Sequence, residues 1–258
     1  MIEFVDVRRQ YGTKTAVAGL NLTVASGELF AFLGPNGAGK TTTIKMLVGL
    51  LRPTSGTIRV CGFDVAAESR DARRLLSYVP DEPYLYDKLS GREFLRFIVE
   101  MYGLDPRVGA ERIEREIAAF ELADFVDDLT ESYSHGMKQR LVFASAMLHD
   151  PAVLVIDEPM VGLDPRSARI LKDLLRAKSR AGTTIFLSTH TLGLAEEIAD
   201  RIGILDHGQL MFLGTVTELE QELQLHETNL ERLFLELTSS PATNGSPPAP
   251  ESKPRTTA

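Results

Sequence analysis

A glycine-rich loop between a buried strand and a helix constrains the fold of this chain more than any other segment. The apolar run from Leu29 to Leu33 predicts the strand, and Gly34 to Thr41, which reads GPNGAGKT, matches the pattern G-x-x-x-x-G-K-[ST]. The residues from Gly39 to about Leu50 predict a helix that ends before Arg52-Pro53. An ordinary glycine turn is the alternative, but this strand–loop–helix order favours an α/β protein that binds a nucleoside triphosphate.

Each part of the loop has a predicted contact with the nucleotide. The glycines permit backbone conformations that direct N–H groups at phosphate oxygens, and the helix start adds the positive end of its dipole. We expect Lys40 to reach the β- and γ-phosphates and the Thr41 hydroxyl to ligate Mg²⁺. The residues predicted to bind ATP in this loop are Asn36, Gly37, Ala38, Gly39, Lys40, Thr41 and Thr42.

Two carboxylates follow a second buried strand. The apolar run Val153 to Ile156 leads directly into Asp157 and Glu158, and ligands of α/β proteins bind at the carboxyl ends of such strands. Asp157 is predicted to hold Mg²⁺ through its waters, and Glu158 to polarise an attacking water. The alternative is a pair of solvated acids at the end of a strand, which the phosphate loop makes less favoured.

The order of apolar segments predicts an α/β fold with a P-loop NTPase core and a mainly parallel sheet. Alternating apolar and polar residues at the N-terminus predict antiparallel β strands, and strands alternate with helices after residue 150. Between them, a helical subdomain is predicted at about residues 85–148, and Ser90 to Glu93 resembles a capping box at its start.

The C-terminal region divides into two predicted segments. Residues 218–237 form a helical segment, so that residues 1–237 make up one domain. Residues 238–258 are rich in Pro, Ser, Thr and Ala and contain few residues that build a core. Such a tail cannot bury enough apolar surface to offset the entropy of ordering it, so it is predicted to be disordered.

Composition excludes several classes of function. A net charge of −8 over 258 residues argues against a surface that binds nucleic acid throughout, although a local basic patch would remain compatible with it. The single cysteine, Cys61, excludes an intrachain disulfide and is consistent with the cytoplasm. No apolar run approaches the ~20 residues that a membrane helix needs, so work at a membrane would require a partner.

A second phosphate-binding helix start is predicted at Ser134 to Gly136. The segment from Tyr133 to Arg140 reads YSHGMKQR and opens an apolar helix, whose first N–H groups could bind an anion. The phosphate loop does not need this element, which therefore indicates two copies that enclose nucleotide between them. Plain N-capping by Ser134 is the alternative.

With these motifs in their order, the chain resembles the ATP-binding subunits of ABC transporters over about residues 2–219. The family signature Leu-Ser-Gly-Gly-Gln corresponds to Tyr133 to Met137, where Ser134 and Gly136 are kept, while His135 and Met137 replace Gly and Gln. The resemblance implies that Ser134 and Gly136 contact the γ-phosphate of ATP held by the opposite subunit.

Four further roles are implied by the resemblance alone. Tyr11 stacks on adenine, and Asp164, in the segment Gly162 to Pro165, links the two nucleotide sites. His190 binds the γ-phosphate and positions the attacking water against Glu158. Asp81 stands where the family has a glutamine that senses Mg²⁺; a carboxylate can also ligate the metal, but it adds negative charge.

The resemblance implies a cytoplasmic ATPase held on the inner face of the cell membrane by an integral-membrane permease subunit. Its cofactors are ATP and Mg²⁺, its catalytic residues are Glu158, His190 and Lys40, and it pairs with a second ABC ATPase subunit in a homo- or heterodimer. No nucleic acid is expected as a partner. The segment Tyr78 to Pro83, together with the signature segment Tyr133 to Met137, resembles exporter-type (ABC-2-like) subunits. The alternative is a soluble ABC-type ATPase that acts on ribosomes or DNA without transport.

Overall fold

The fold contains two β-sheets with helices packed around the larger one. The computed structural model describes residues 1–160 and 163–224. Its strands are β1 (Ile2–Tyr11), β2 (Lys14–Val24), β3 (Leu29–Leu33), β4 (Ser55–Val60), β5 (Phe63–Asp64), β6 (Leu76–Val79), β7 (Val153–Asp157), β8 (Thr184–Thr189), β9 (Arg201–Asp206) and β10 (Gln209–Gly214). Its helices are α1 (Lys40–Leu47), α2 (Ser69–Arg74), α3 (Gly91–Met101), α4 (Pro106–Ala119), α5 (His135–Met147), α6 (Pro165–Arg180), α7 (Leu192–Ile198) and α8 (Val216–Gln224).

The larger sheet has six strands in the order β10-β9-β3-β8-β7-β6. All neighbouring pairs are parallel except β9 and β10, which form an antiparallel hairpin at one edge. The smaller sheet, in the order β2-β1-β4-β5, is antiparallel. The prediction of an α/β fold with a mainly parallel sheet and antiparallel N-terminal strands is therefore confirmed.

The six-stranded sheet is buried on both faces. Phe30, Phe32 and Phe186 project towards α1 and the smaller sheet, where they pack with residues such as Phe4. Leu29, Leu154 and their neighbours on the opposite face pack with residues of the helices α3 to α7. Burial on both faces explains why these strands are continuous apolar runs without alternation.

Helices α3 to α5 lie between β6 and β7, and each begins with a sequence signal for a helix start. Ser90 and Glu93 form the capping box of α3. The Asp105 carboxylate accepts hydrogen bonds from the N–H groups at the start of α4, next to Pro106. Three short elements were not predicted, namely α2, β5 and β10.

The C-terminal helical segment lies only partly within the described residues. Helix α8 covers Val216–Gln224, and its residue Leu219 is buried against β9 and α7. The remainder of that predicted segment, residues 225–237, and the predicted tail, residues 238–258, lie outside the described residues.

Candidate active site

The predicted site residues meet at the carboxyl edge of the larger sheet. The phosphate loop follows β3, Glu158 follows β7, and His190 follows β8, while Asp81 lies just beyond β6 and Asp206 ends β9. Since these five strands are parallel, their ends lie along one edge, and β3 sits between β8 and β9. Chain segments that are distant in sequence therefore surround the phosphate loop.

The phosphate loop is closed over its own lysine. Gly39 has a φ of 112°, and a Cβ there would lie 2.4 Å from the carbonyl oxygen of Ala16, so only glycine fits at this position. Lys40 opens α1, is buried, and donates a hydrogen bond from Nζ to the carbonyl oxygen of Gly34 at 2.6 Å. The ammonium group is thus held inside the loop, where a phosphate would be bound.

Lys40, Glu158 and His190 form a connected chain of charged and polar groups. Lys40 Nζ lies 3.6 Å from Glu158 Oε1, and His190 Nδ1 lies 2.9 Å from Glu158 Oε2. Glu158 adopts a left-handed φ of 46°, and its backbone N–H donates to the carbonyl oxygen of Ser188 at 3.1 Å. A non-glycine residue in this conformation is costly and is typical of functional sites.

Asp157 is a buried carboxylate with one unsatisfied oxygen. Its residue is 1% exposed, and Oδ1 accepts a hydrogen bond from the Ser188 hydroxyl. Oδ2 is buried and has no hydrogen-bond partner of acceptable geometry among the described residues. Burial raises the pKa of Asp157, the Ser188 and Thr41 hydroxyls lower it, and the Asp81 and Glu158 carboxylates raise it further.

This arrangement fits a magnesium ion. Asp157 Oδ2 lacks a hydrogen-bond partner, and the Thr41 hydroxyl lowers the pKa of the same carboxylate. Both groups offer oxygen atoms, the hard ligands that Mg²⁺ prefers. No group of three or more His, Cys, Asp or Glu side chains among residues 1–160 and 163–224 could hold a metal. Mg²⁺ fits such a sparse site because it usually keeps waters and shares ligands with substrate phosphates.

An open cleft of about 790 Å³ surrounds the loop. It brings together most of the predicted nucleotide ligands, which are Tyr11, Asn36, Gly37, Ala38, Gly39, Lys40, Thr41, Thr42, Asp81 and Glu158. Tyr11 is 47% exposed, and the Arg9 guanidinium lies 4.4 Å from its ring centroid. One ring face is therefore covered by a cation, and a base could stack on the other.

Sequence patterns did not identify the remaining residues that line the cleft. They are Lys14, Thr15, Ala16, Pro35, Asp206 and His207. Pro35 lies within the predicted loop motif, but the others belong to β2, to the end of β9 or to the turn after β9. The β3–β9 pairing and the contacts of β2 with the loop bring them to the site, and no spacing rule in the sequence would signal this.

Ser134, Gly136 and Asp164 form a separate cluster away from this cleft. The Ser134 hydroxyl accepts a hydrogen bond from the N–H of Met137 at 3.3 Å at the start of α5. Asp164 caps α6 and accepts a hydrogen bond from the Ser167 hydroxyl at 2.6 Å, which lowers the pKa of Asp164. A Cβ at Gly136 would lie 3.6 Å from Asp164 Oδ2. None of the three lines the phosphate cleft of its own chain, and Gly162 lies outside the described residues.

Comparison with known proteins identifies the family. The family description "ABC transporter" matches residues 17–161. The linearmycin resistance ATP-binding protein LnrL of Bacillus subtilis (strain 168) is 36% identical over 241 residues, which are 91% of this chain and 78% of that protein. The chain belongs to the ABC transporter family.

Other members of this family agree in sequence and in fold. The daunorubicin/doxorubicin resistance ATP-binding protein DrrA of Streptomyces peucetius is 41% identical over 222 residues, 86% of this chain and 67% of that protein. A solved ATP-binding subunit of an ABC transporter superposes with a TM-score of 0.85 at 33% identity and covers 92% of this chain and 99% of its own. This ABC protein is therefore an ATP-binding and ATP-hydrolysing subunit. No helix of its described residues is long and apolar enough to cross a membrane.

Proposed function

We propose that this ABC subunit drives export through a separate membrane permease, as a dimer with two shared ATP sites. The chain formed by Lys40, Glu158 and His190 carries the proposal, because it places a phosphate-binding cation and a candidate base in contact at one sheet edge. The composite site adds Ser134 and Gly136 of a second subunit.

The residues support an in-line attack of water on the γ-phosphate. Lys40 binds the β- and γ-phosphates, and an entering γ-phosphate replaces Glu158 as the partner of its ammonium group. Glu158, released from Lys40 and oriented by His190, accepts a proton from the water as its oxygen forms a bond to phosphorus. The bond between phosphorus and the β–γ bridging oxygen breaks, and ADP keeps that electron pair.

Catalysis in this site consists mainly of positioning and electrostatics. Mg²⁺, when bound, neutralises phosphate charge, and Asp157 and Thr41 are the residues that would hold it, with Asp81 near them. Asp81 raises the pKa of Asp157 through its negative charge, so it belongs to the same electrostatic environment. Tyr11 would hold the base on the ring face that Arg9 leaves open.

An exposed aromatic surface supports a membrane partner. The segment from Asp81 to Leu89 follows β6, and its Tyr84 is 77% exposed. The Tyr84 ring meets Tyr86 edge-on at 6.0 Å, and Tyr86 meets Phe97 of α3 at 5.6 Å. Exposed aromatic clusters of this kind mark interaction sites, and this one lies where the larger sheet joins the inserted helices, so the inserted helices could transmit motion to the permease.

The relatives favour export over a soluble function on ribosomes or DNA. LnrL is named for resistance to linearmycin, and DrrA for resistance to daunorubicin and doxorubicin. A third relative is the Nod factor export ATP-binding protein I of Burkholderia lata (strain ATCC 17760 / DSM 23089 / LMG 22485 / NCIMB 9086 / R18194 / 383). It is 38% identical over 213 residues, which are 83% of this chain and 70% of that protein. The acidic net charge of −8 also disfavours nucleic acid as a partner. Attachment to the inner face of the membrane then follows from the permease.

Replacing the candidate base tests the ATPase mechanism. Glu158→Gln keeps the shape of the side chain but cannot accept the proton, so turnover should fall by about 100-fold or more, while ATP stays bound and dimers accumulate. Steady-state phosphate release, ATP retention and size-exclusion chromatography measure these three outcomes. Glu111→Gln, an exposed change on α4, is the matched control. Wild-type turnover in the Glu158 variant would reject the mechanism.

The aromatic surface gives a separate test of the permease. Wild-type protein should co-purify with an integral-membrane protein from detergent-solubilised membranes, and Tyr84→Ser should lose that partner yet keep the ATPase activity of the isolated subunit. Met211→Ser removes another exposed apolar side chain, from β10, and should retain the partner. Equal recovery of the membrane protein with both variants would exclude this surface as the docking site.

A further inference from the structure

The turn between β9 and β10 forms part of the cleft wall that the proposed mechanism does not use. Asp206 pairs with Gln209, so His207 and Gly208 form a two-residue turn, with φ angles of 44° and 79°. Positive φ at both positions corresponds to a type I′ turn, in which Asn-Gly is the favoured pair. Histidine, like asparagine, tolerates a positive φ, so the turn accommodates His207 without requiring its imidazole ring.

Backbone contacts fix this turn against the nucleotide-binding elements. The N–H of Gly208 donates a hydrogen bond to the carbonyl oxygen of Ala38 in the phosphate loop at 2.8 Å. The N–H of Ala18 in β2 donates to the carbonyl oxygen of Gly208 at 2.9 Å. A Cβ at Gly208 would lie 2.7 Å from the carbonyl oxygen of Ala16. The turn therefore packs against both the phosphate loop and β2, and both of these elements contribute residues to the cleft.

A buried carboxylate orients the His207 ring. His207 Nδ1 lies 2.8 Å from Asp206 Oδ2, and the imidazole side chain is 65% exposed, while Asp206 is 8% exposed. A carboxylate can only accept a hydrogen bond, so Nδ1 carries the proton. In the neutral ring, Nε2 is then a hydrogen-bond acceptor on a side chain that lines the cleft.

The chemistry of a nucleotide determines what such an acceptor can bind. Phosphate oxygens only accept hydrogen bonds, whereas the ribose hydroxyls can also donate them. Tyr11 marks the base end of the cleft and Lys40 the phosphate end. The turn contacts Ala16 of β2, which pairs with the strand that ends at Tyr11, and Ala38 of the phosphate loop. We propose that His207, held by Asp206, binds a ribose hydroxyl of ATP through Nε2 and so selects for ribonucleotides. This inference rests on the proposed nucleotide site.

Deoxynucleotides test the contact directly. Binding of ATP, 2′-deoxy-ATP and 3′-deoxy-ATP is measured by calorimetry on wild-type protein, His207→Asn and Gln209→Ala. Asparagine suits the type I′ turn, so the first variant keeps the hairpin, which equal melting temperatures would verify. Gln209→Ala changes an exposed residue of the same hairpin outside the cleft.

If the His207 hydrogen bond contributes net binding free energy, the affinities for ATP and its deoxy analogues should differ in a defined way. Wild-type protein and Gln209→Ala should bind ATP about twofold to tenfold more tightly than one of the deoxy analogues, and His207→Asn should bind ATP and that analogue equally. If wild-type protein shows no discrimination, or His207→Asn keeps it, the His207 contact is wrong while the ATP site stands. Failure of wild-type protein to bind any of the three would overturn the proposed function itself.

Discussion

Asp157 shows how a residue that opposes folding can be suited to a proposed catalytic role. Its carboxylate is enclosed at the end of β7, with one oxygen bound by the Ser188 hydroxyl and the other left without a hydrogen-bond partner among the described residues. Burial raises the pKa of Asp157 above its ordinary value, so ionising this group costs folding free energy at neutral pH. A cation beside Oδ2 would offset that cost, because it stabilises the ionised carboxylate, which is the form that ligates Mg²⁺.

Replacing this carboxylate by its neutral isostere should therefore separate stability from activity. The unfolded chain ionises Asp157 first as the pH rises, so the folded state loses stability through that range and the loss persists above the folded pKa. Without Mg²⁺ or nucleotide, Asp157→Asn should raise the melting temperature at pH 7 and raise it less near pH 4. The variant should also hydrolyse ATP far more slowly. Scanning calorimetry measures the first effects, and the exposed Asp124→Asn is the control. A lower melting temperature at pH 7 would contradict the argument.

Individual elements were predictable where their own residues specify them. The apolar run predicted strand β3, and the capping box predicted the start of α3. The phosphate loop and Asp157 were predicted at the ends of β3 and β7. Strand β10 was not predictable in this way. Leu210 to Leu213 are all apolar although the exposure of the strand alternates, and the hairpin uses His-Gly in place of a usual turn pair. Consequently the sequence did not reveal that His207 lines the nucleotide cleft.

The packing of the inserted helices on one another and on α6 also depends on contacts that sequence spacing does not show. The Tyr102 ring after α3 stacks on His149 after α5 at 3.9 Å, and burial lowers the pKa of His149 to about 4. Glu116 of α4 is buried and pairs with Lys178 of α6 at 3.7 Å. These contacts join elements that are distant in the sequence. Local sequence patterns therefore predict where the helices lie along the chain but not which residues hold them together.

For the whole molecule, the separation of the phosphate loop from the proposed second phosphate-binding element supports the dimer. Gly136 lies beside Asp164 at the start of α6, and neither Ser134 nor Gly136 lines the cleft that holds Lys40. A Cβ at Gly136 would meet only ordinary contacts at 3.6 Å or more, so packing within the chain does not require glycine there. The close approach of a phosphate from a second copy would favour glycine there.

Mixing two differently inactivated variants tests this composite site. Lys40→Ala removes the phosphate-loop cation, and Ser134→Ala with Gly136→Ala removes the opposing half at a folding cost of about 1 kcal/mol for the lost cap. Each variant alone should have little activity. In an equal mixture, half of the dimers pair unlike chains, and each of those has one intact site, so phosphate release should recover to about a quarter of wild type. Mixing Lys40→Ala with Thr41→Ala, which share the damaged half, should restore nothing. If the first mixture were no more active than its separate components, both halves of the site would have to come from one chain.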